Sequence, residues 1–170
     1  MKTIIAIDPG GSGGIAWRNT SGEIKAVKMP DTEGDVIILL QTIRSECLRQ
    51  SPPGASGIFA AVEVVGGFIR GNPAPGSAMF SFGRGYGFIL GAFAAWGVPV
   101  HSVRPQEWQK VFGVGTKGER TTNEWKNHLK SKAQQLYPAM GVSLSTADAL
   151  LILTHAIMVE GDLKIIQNTC

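Results

Sequence analysis

Apolar positions change their period along this chain, and each change marks an element. Residues 2–7 alternate and then run apolar, the pattern of a central strand, and Pro9-Gly10-Gly11 ends it. Residues 14–18 and 23–29 read as two further strands, joined by a hairpin turn at 19–22 (NTSG), so the opening three strands are antiparallel in character. Between 36 and 48 the apolar residues fall at 36, 37, 39, 40, 43, 47 and 48, one face of a helix that Ser51-Pro52-Pro53-Gly54 stops. Residues 58–65 form a fourth strand, followed by a loop over 66–76 rich in Gly and Pro. The spacing predicts a long helix over 77–96, a fifth strand over 98–103, a short helix over 105–112 and a loop over 113–118. Helices over 121–136 and 145–159 complete the chain, separated by Pro138 and Gly141. The order is that of an α/β fold with a mixed sheet and helices on its faces.

Composition narrows the class without naming a chemistry. At 170 residues the chain suits one domain, here expected to span 1–170, with no long linker, repeat or low-complexity tract. Hydrophobic residues make up 44% and charged residues 17%, a globular balance. No uninterrupted apolar run reaches the roughly 20 residues of a membrane span, and the N-terminal apolar stretch is too short for a signal sequence. Cys47 and Cys170 offer neither a metal spacing nor a disulfide framework, so a reducing cytoplasm is the expected location. The net charge of +3 leans towards polyanions. Lys110, Lys117, Arg120, Lys126, Lys130 and Lys132 fall in one stretch, with Arg70 and Arg84 in the Gly-rich middle; they suit either a phosphate-binding surface or a solvated helix face.

Three acids stand where acids need a reason. Asp8 ends the first strand, where it caps the turn or serves a site. Glu63 sits inside GIFAAVEVVGG, where Val or Ile would pack better and a buried unpaired charge is costly. Asp148, in STADALLILTHA, suits either the positive end of a helix capped by Ser145 or the same site. If the first and fourth strands are neighbours and the last helix crosses them, the three carboxylates meet. Hard divalent cations prefer such oxygen ligands, and a pair of them activates water and stabilises the leaving oxygen in phosphodiester cleavage.

IAIDPGGSGGIAW, VEVVGG and ADALLILTHA, in this order and at these separations, resemble the RuvC family of Holliday-junction resolvases, which have an RNase H-like fold. Asn72-Pro73, Ser77-Ala78 and the glycines at 83, 87 and 91 resemble that family's loop and dimer-forming helix. FSFGRGYG at 80–87, RPQEW at 104–108 and Lys117 look most like its phage and organellar branch. The resemblance implies an RNase H-like five-stranded mixed sheet flanked by helices. It also implies a homodimer that cuts four-way DNA junctions with paired symmetric nicks, using Mg²⁺ with Mn²⁺ as a substitute. Asp8, Glu63 and Asp148 would be the metal ligands, and Lys117, in GVGTKGER, the basic residue near the scissile phosphate. Phe68 would stack on opened bases, and Arg70, Arg84, Arg120, Lys126 and Lys130 would contact DNA. The family's fourth ligand, an acid or His three positions before the last Asp, is Ser145 here, a departure that leaves the second metal in doubt. His155, seven residues after Asp148, could approach the site or simply fill the core.

Three other readings stay open or fall. An actin-like or sugar-kinase ATPase would need a duplicate sheet for which 170 residues leave no room. A broader branched-DNA endonuclease, acting on flaps and forks, and a non-catalytic junction-binding protein both remain compatible with the residues.

Overall fold

The computed structural model describes residues 1–50, 57–64 and 76–167, with side chains described as far as residue 161. Phe68 and Arg70, the Pro-Gly stop at 52–54 and nearly all of the loop expected over 66–76 lie outside the described residues. Five strands form one sheet: β1 (Thr3–Asp8), β2 (Gly14–Arg18), β3 (Ile24–Lys28), β4 (Ile58–Glu63) and β5 (Val100–Val103). Their order across it is β3-β2-β1-β4-β5. The first three are antiparallel, as the short NTSG connection requires, and β4 and β5 join in parallel through helical crossovers. The turn is built by Asn19, whose Oδ1 accepts from the Ser21 N–H at 3.1 Å and the Glu23 N–H at 2.9 Å.

The helices are α1 (Glu33–Gln50), α2 (Gly76–Ala95), α3 (Pro105–Val111), α4 (Thr122–Leu136) and α5 (Leu144–Gln167). Two boundaries differ from the periodicity for a local reason. Helix α1 begins ahead of its apolar face because Thr32 Oγ1 accepts from the Asp35 N–H at 3.1 Å, capping a first turn with no core contact. Helix α5 is capped by Ser143, not Ser145: Ser143 Oγ accepts from the Thr146 N–H at 3.2 Å, and the Thr146 hydroxyl oxygen accepts in return from the Ser143 N–H at 3.0 Å. Asp148 therefore sits beyond the first turn, and capping does not explain it.

Strand period divides the interior in two. Ile5 and Ile7 of β1 face α1 and α2, with Leu40, Ile43, Ile89 and Phe93. Ile4 and Ala6 face the opposite way, towards α3, α4 and α5, with Trp108, Leu129 and Ala133. Helix α5 is the centre of that second core, where Leu150, Leu151, Ile152 and Leu153 are all fully buried. Burial of each such side chain contributes about 1.5–3 kcal/mol before entropy. Residues Leu144–Gly161, with mean hydropathy 1.3, are long and apolar enough to cross a membrane; here 56% of them are buried, against the sheet and the neighbouring helices.

The start of α5 is pressed against the start of β2. A Cβ on Gly14 would overlap the Ser145 carbonyl oxygen and stand 2.8 Å from that of Val27, so only glycine lets helix and sheet approach this closely. Gly14→Ala is expected to destabilise the protein by about 1–3 kcal/mol through overpacking; urea unfolding followed by circular dichroism checks it, and unchanged stability would mean the helix is free to retreat.

Candidate active site

The period that divides the core also sets the site. Asp8 follows Ala6 on the α5 side of β1, and Glu63 follows Ala61 on the same side of β4. The parallel register pairs Ile7 with Val62, so the two acids stand side by side at the carboxyl ends of neighbouring strands. Asp148 reaches them from the second turn of α5, the helix that lies across β1 and β2.

The loop after Asp8 is shaped around its carboxylate. A Cβ on Gly13 would overlap the Asp8 carbonyl oxygen and stand 2.9 Å from the carboxyl carbon, so a side chain there would displace the acid. Glu63 is held on the other side: the indole N–H of Trp108 donates to Glu63 Oε2 at 3.0 Å. Trp108 is fully buried on α3, and the sequence marked it only as part of a family-like segment. A donor-only group in an apolar core was the available signal that an acceptor must stand opposite.

Burial raises all three acids, and repulsion adds to it at Asp8 and Glu63. Burial is the largest cause for each. Asp8 is pushed well above the usual carboxylate range by burial and then by Glu63 and Asp148. Glu63 is pushed up to about 7 by burial and then by Asp148, against the opposing Trp108 hydrogen bond. Asp148 is pushed up to about 6 by burial. One cation opposes the rise at all three positions, Lys126 of α4. It is half-buried, on the same side of α4 as Trp125 and Leu129, which pack into the core beside α5.

The other basic residues are placed differently. Lys117 Nζ donates to Thr122 Oγ1 at 2.9 Å, bracing the loop to the start of α4. Arg120 donates to the Thr116 carbonyl at 2.9 Å and lies over the Trp125 ring at 5.8 Å. Arg84 pairs with Glu33 at 3.0 Å on the α1–α2 side of the sheet, away from the acids. Lys130 follows Lys126 by one turn and is half-buried. The sequence grouped these cations by proximity along the chain; the fold separates Arg84 from the rest and turns Lys126, rather than Lys117, towards the acids.

Ser145 and His155 also find their places. Ser145 is half-buried, with its hydroxyl 3.0 Å from that of Ser143 in a hydrogen bond. His155 lies in the core, stacked on His101 at 6.2 Å between ring centroids, and burial lowers its pKa. Seven residues of helix set its position about 10 Å along the axis from Asp148.

Among the described residues no three acidic, imidazole or thiol side chains converge tightly enough to enclose an ion by themselves. The donor set nonetheless fits a hard cation: three carboxylates, all oxygen, brought to one side of the sheet where Asp8 and Glu63 lie in the field of Asp148. Mg²⁺ retains several waters and takes few carboxylates, so an open set suits it.

A five-stranded mixed sheet in this order, flanked by helices, is the RNase H-like α/β fold. The chain is similar to a Thermus thermophilus RuvC solved with a Holliday-junction substrate, at 19% identity and a TM-score of 0.57, over 93% of this chain and 95% of that one. A second Thermus thermophilus RuvC structure matches at 20% identity and a TM-score of 0.52, over 94% of this chain and 96% of the other. At this identity the likeness carries the fold. Neither structure supports the resemblance to the phage and organellar branch. No protein-family model and no curated protein sequence matches the chain.

Without divalent ions, raised carboxylate pKa values make the folded state bind more protons than the unfolded chain between about pH 4 and 7. That stabilisation is fully present below the unfolded values and is lost as pH rises through the folded ones. His155, lowered, acts in reverse and costs stability as pH falls through its ordinary range. The protein in EDTA is therefore expected to lose Tm between about pH 6 and 8, and Asp8→Asn to regain part of that loss at pH 8. Calorimetric scans across this range check both; a flat Tm would mean the acids are neither desolvated nor in each other's field.

Proposed function

We propose that this chain is a single-domain, metal-dependent endonuclease that cuts branched DNA, with four-way junctions as its principal substrate. The observation that carries this reading is the meeting of Asp8, Glu63 and Asp148, under the field of Lys126, at the carboxyl ends of β1 and β4. The RNase H-like fold, and the junction bound by the similar Thermus thermophilus RuvC, support the choice of substrate.

Asp8, Glu63 and Asp148 would hold Mg²⁺, or Mn²⁺ in its place, which when bound supplies an activated water and charge stabilisation for phosphodiester hydrolysis. The protein's own residues do the rest. Partial burial lowers the local polarity around the carboxylates and strengthens the charge interactions there. Lys126 offers a cation to the phosphate oxygens as they gain charge in the transition state. Arg120, Lys117 and Lys130, on the same side of the molecule, supply phosphate contacts, so affinity falls steeply with salt. Ser145 puts a hydroxyl, a poor ligand for a hard cation, where the resemblance implies an acid or His, so a second cation would be less firmly held.

A junction offers two symmetric strands, which a two-fold dimer with two sites would match. Helix α2 is the proposed interface. Gly83, Gly87 and Gly91 are exposed, a Cβ at any of them would meet nothing within 4 Å, and Phe80 is 72% exposed. Each such glycine costs the helix about 0.5–1 kcal/mol against alanine, a cost that close approach of a second copy would offset. Sedimentation of Gly87→Arg is expected to show a monomer where the wild type is a dimer, with an unchanged circular-dichroism spectrum; a dimeric variant would move the interface elsewhere.

Cleavage of labelled four-way, flap and Y substrates with Mg²⁺ or Mn²⁺ tests the activity. Asp8→Asn and Glu63→Gln are expected to abolish cutting while leaving junction binding in place. Lys126→Met should slow it by about 10²-fold or more, with Lys117→Met within a few-fold of wild type. Binding without cutting by the wild type would favour a junction-binding protein. Equal rates on all three substrates would favour a general branched-DNA nuclease.

A further inference from the structure

Glu63 receives one hydrogen bond among the described residues, and its donor is the least expected feature of the site. A surface-facing acid would be solvated; this one is met from below by the N–H of a fully buried tryptophan. The backbone leaves that tryptophan no latitude. Glu63 pairs in register with Val103 of β5, and the Val64 N–H donates to the Val103 carbonyl at 2.8 Å. Arg104 alone separates Val103 from α3. Pro105 opens that helix, and Glu107 Oε2 accepts from the Arg104 N–H at 2.8 Å, locking its first turn. Trp108 stands one turn on, packed in the α5 core cluster with its polar edge turned to β4, the neighbour of the strand that leads into α3.

Packing alone does not require this arrangement. A phenylalanine would fill much of the same apolar space, whereas an indole brings a donor that must be satisfied. Its acceptor is one oxygen of a carboxylate that also lies in the field of Asp148 and Lys126. The donor is neutral, so it fixes the carboxylate without cancelling its charge, which an arginine or lysine there would do.

We propose that Trp108 is a positioning residue for Glu63: its N–H holds Oε2 and would thereby leave Oε1 free to ligate a divalent cation. The inference rests on the metal-dependent reading above. Hydrogen bonds to ligating groups fix their orientation, and their loss typically weakens metal binding by about 10–100-fold.

The test measures Mn²⁺ binding by isothermal titration calorimetry, apart from any cleavage. Trp108→Phe is expected to raise the Mn²⁺ dissociation constant by about tenfold or more. Leu153→Ala, which loosens the same core cluster without touching Glu63, should leave the constant within about twofold of wild type. Wild-type affinity in Trp108→Phe would overturn the proposal, as would an equal loss in both variants, which would make the effect one of core stability. If Trp108→Phe does not fold, the wild-type indole N–H resonance serves instead. A shift on saturation with Mg²⁺ that is absent in Glu63→Gln supports the role; an unmoved resonance overturns it. A protein that passes these tests yet cuts no branched DNA retains Trp108's role and loses the proposed substrate.

Discussion

Asp8 and Glu63 are neighbours because β1 and β4 are hydrogen-bonded in parallel, and no side-chain movement can undo that pairing. Asp148 is added by a helix whose buried face, Leu150 to Leu153 included, packs against the same sheet and the helices beside it. The repulsion among the three is therefore built into the backbone. Two buried like charges would ordinarily protonate or part; here parting is forbidden, so the charge must be met by protons, by Lys126 or by a bound cation. The remaining features of the site follow from that constraint. Gly13 and Gly14 clear space for the acid and for the helix, Trp108 orients one carboxylate without neutralising it, and Ser143 starts α5 so that Asp148 falls one turn inside.

Much of this was legible in the sequence. Short apolar runs bounded by turn residues carried β1 and β4, which are buried on both faces, and the helical spacing at 36–48 carried α1, which has one face in a core. Glu63 announced itself because every neighbour in its strand is apolar. Other parts were hidden for physical reasons. Serines at 143 and 145 are chemically equal as caps, and only the entry angle of the chain decides between them. Lysines at 117 and 126 are both plausible partners of a phosphate. What separates them is that one is drawn off to Thr122 at the start of α4 while the other projects from a core-facing side of that helix. Tryptophan 108 read as part of a motif, and the acceptor of its N–H lies 45 residues away in the chain, beyond any local pattern.

The two layers over the sheet do different work. On one side α3, α4 and α5 bring together the acids, the indole and Lys126. On the other, α1 and α2 close the second core, and Arg84 is matched to Glu33. The glycine stripe of α2 faces outward from that second layer, so a partner held there would leave the acid-bearing face open to a nucleic acid.

The alternation of strand faces has a consequence for how such a protein can change. Substituting an acid alters the chemistry of one corner and leaves its position intact. Deleting or inserting one residue ahead of Asp8 in β1, or ahead of Glu63 in β4, would carry the carboxylate through the sheet into the opposite core. A change of residue at either position therefore leaves the corner where it is, whereas a change of length is tolerable only in the turns and helices between the strands. The site is free in its alphabet and fixed in its count.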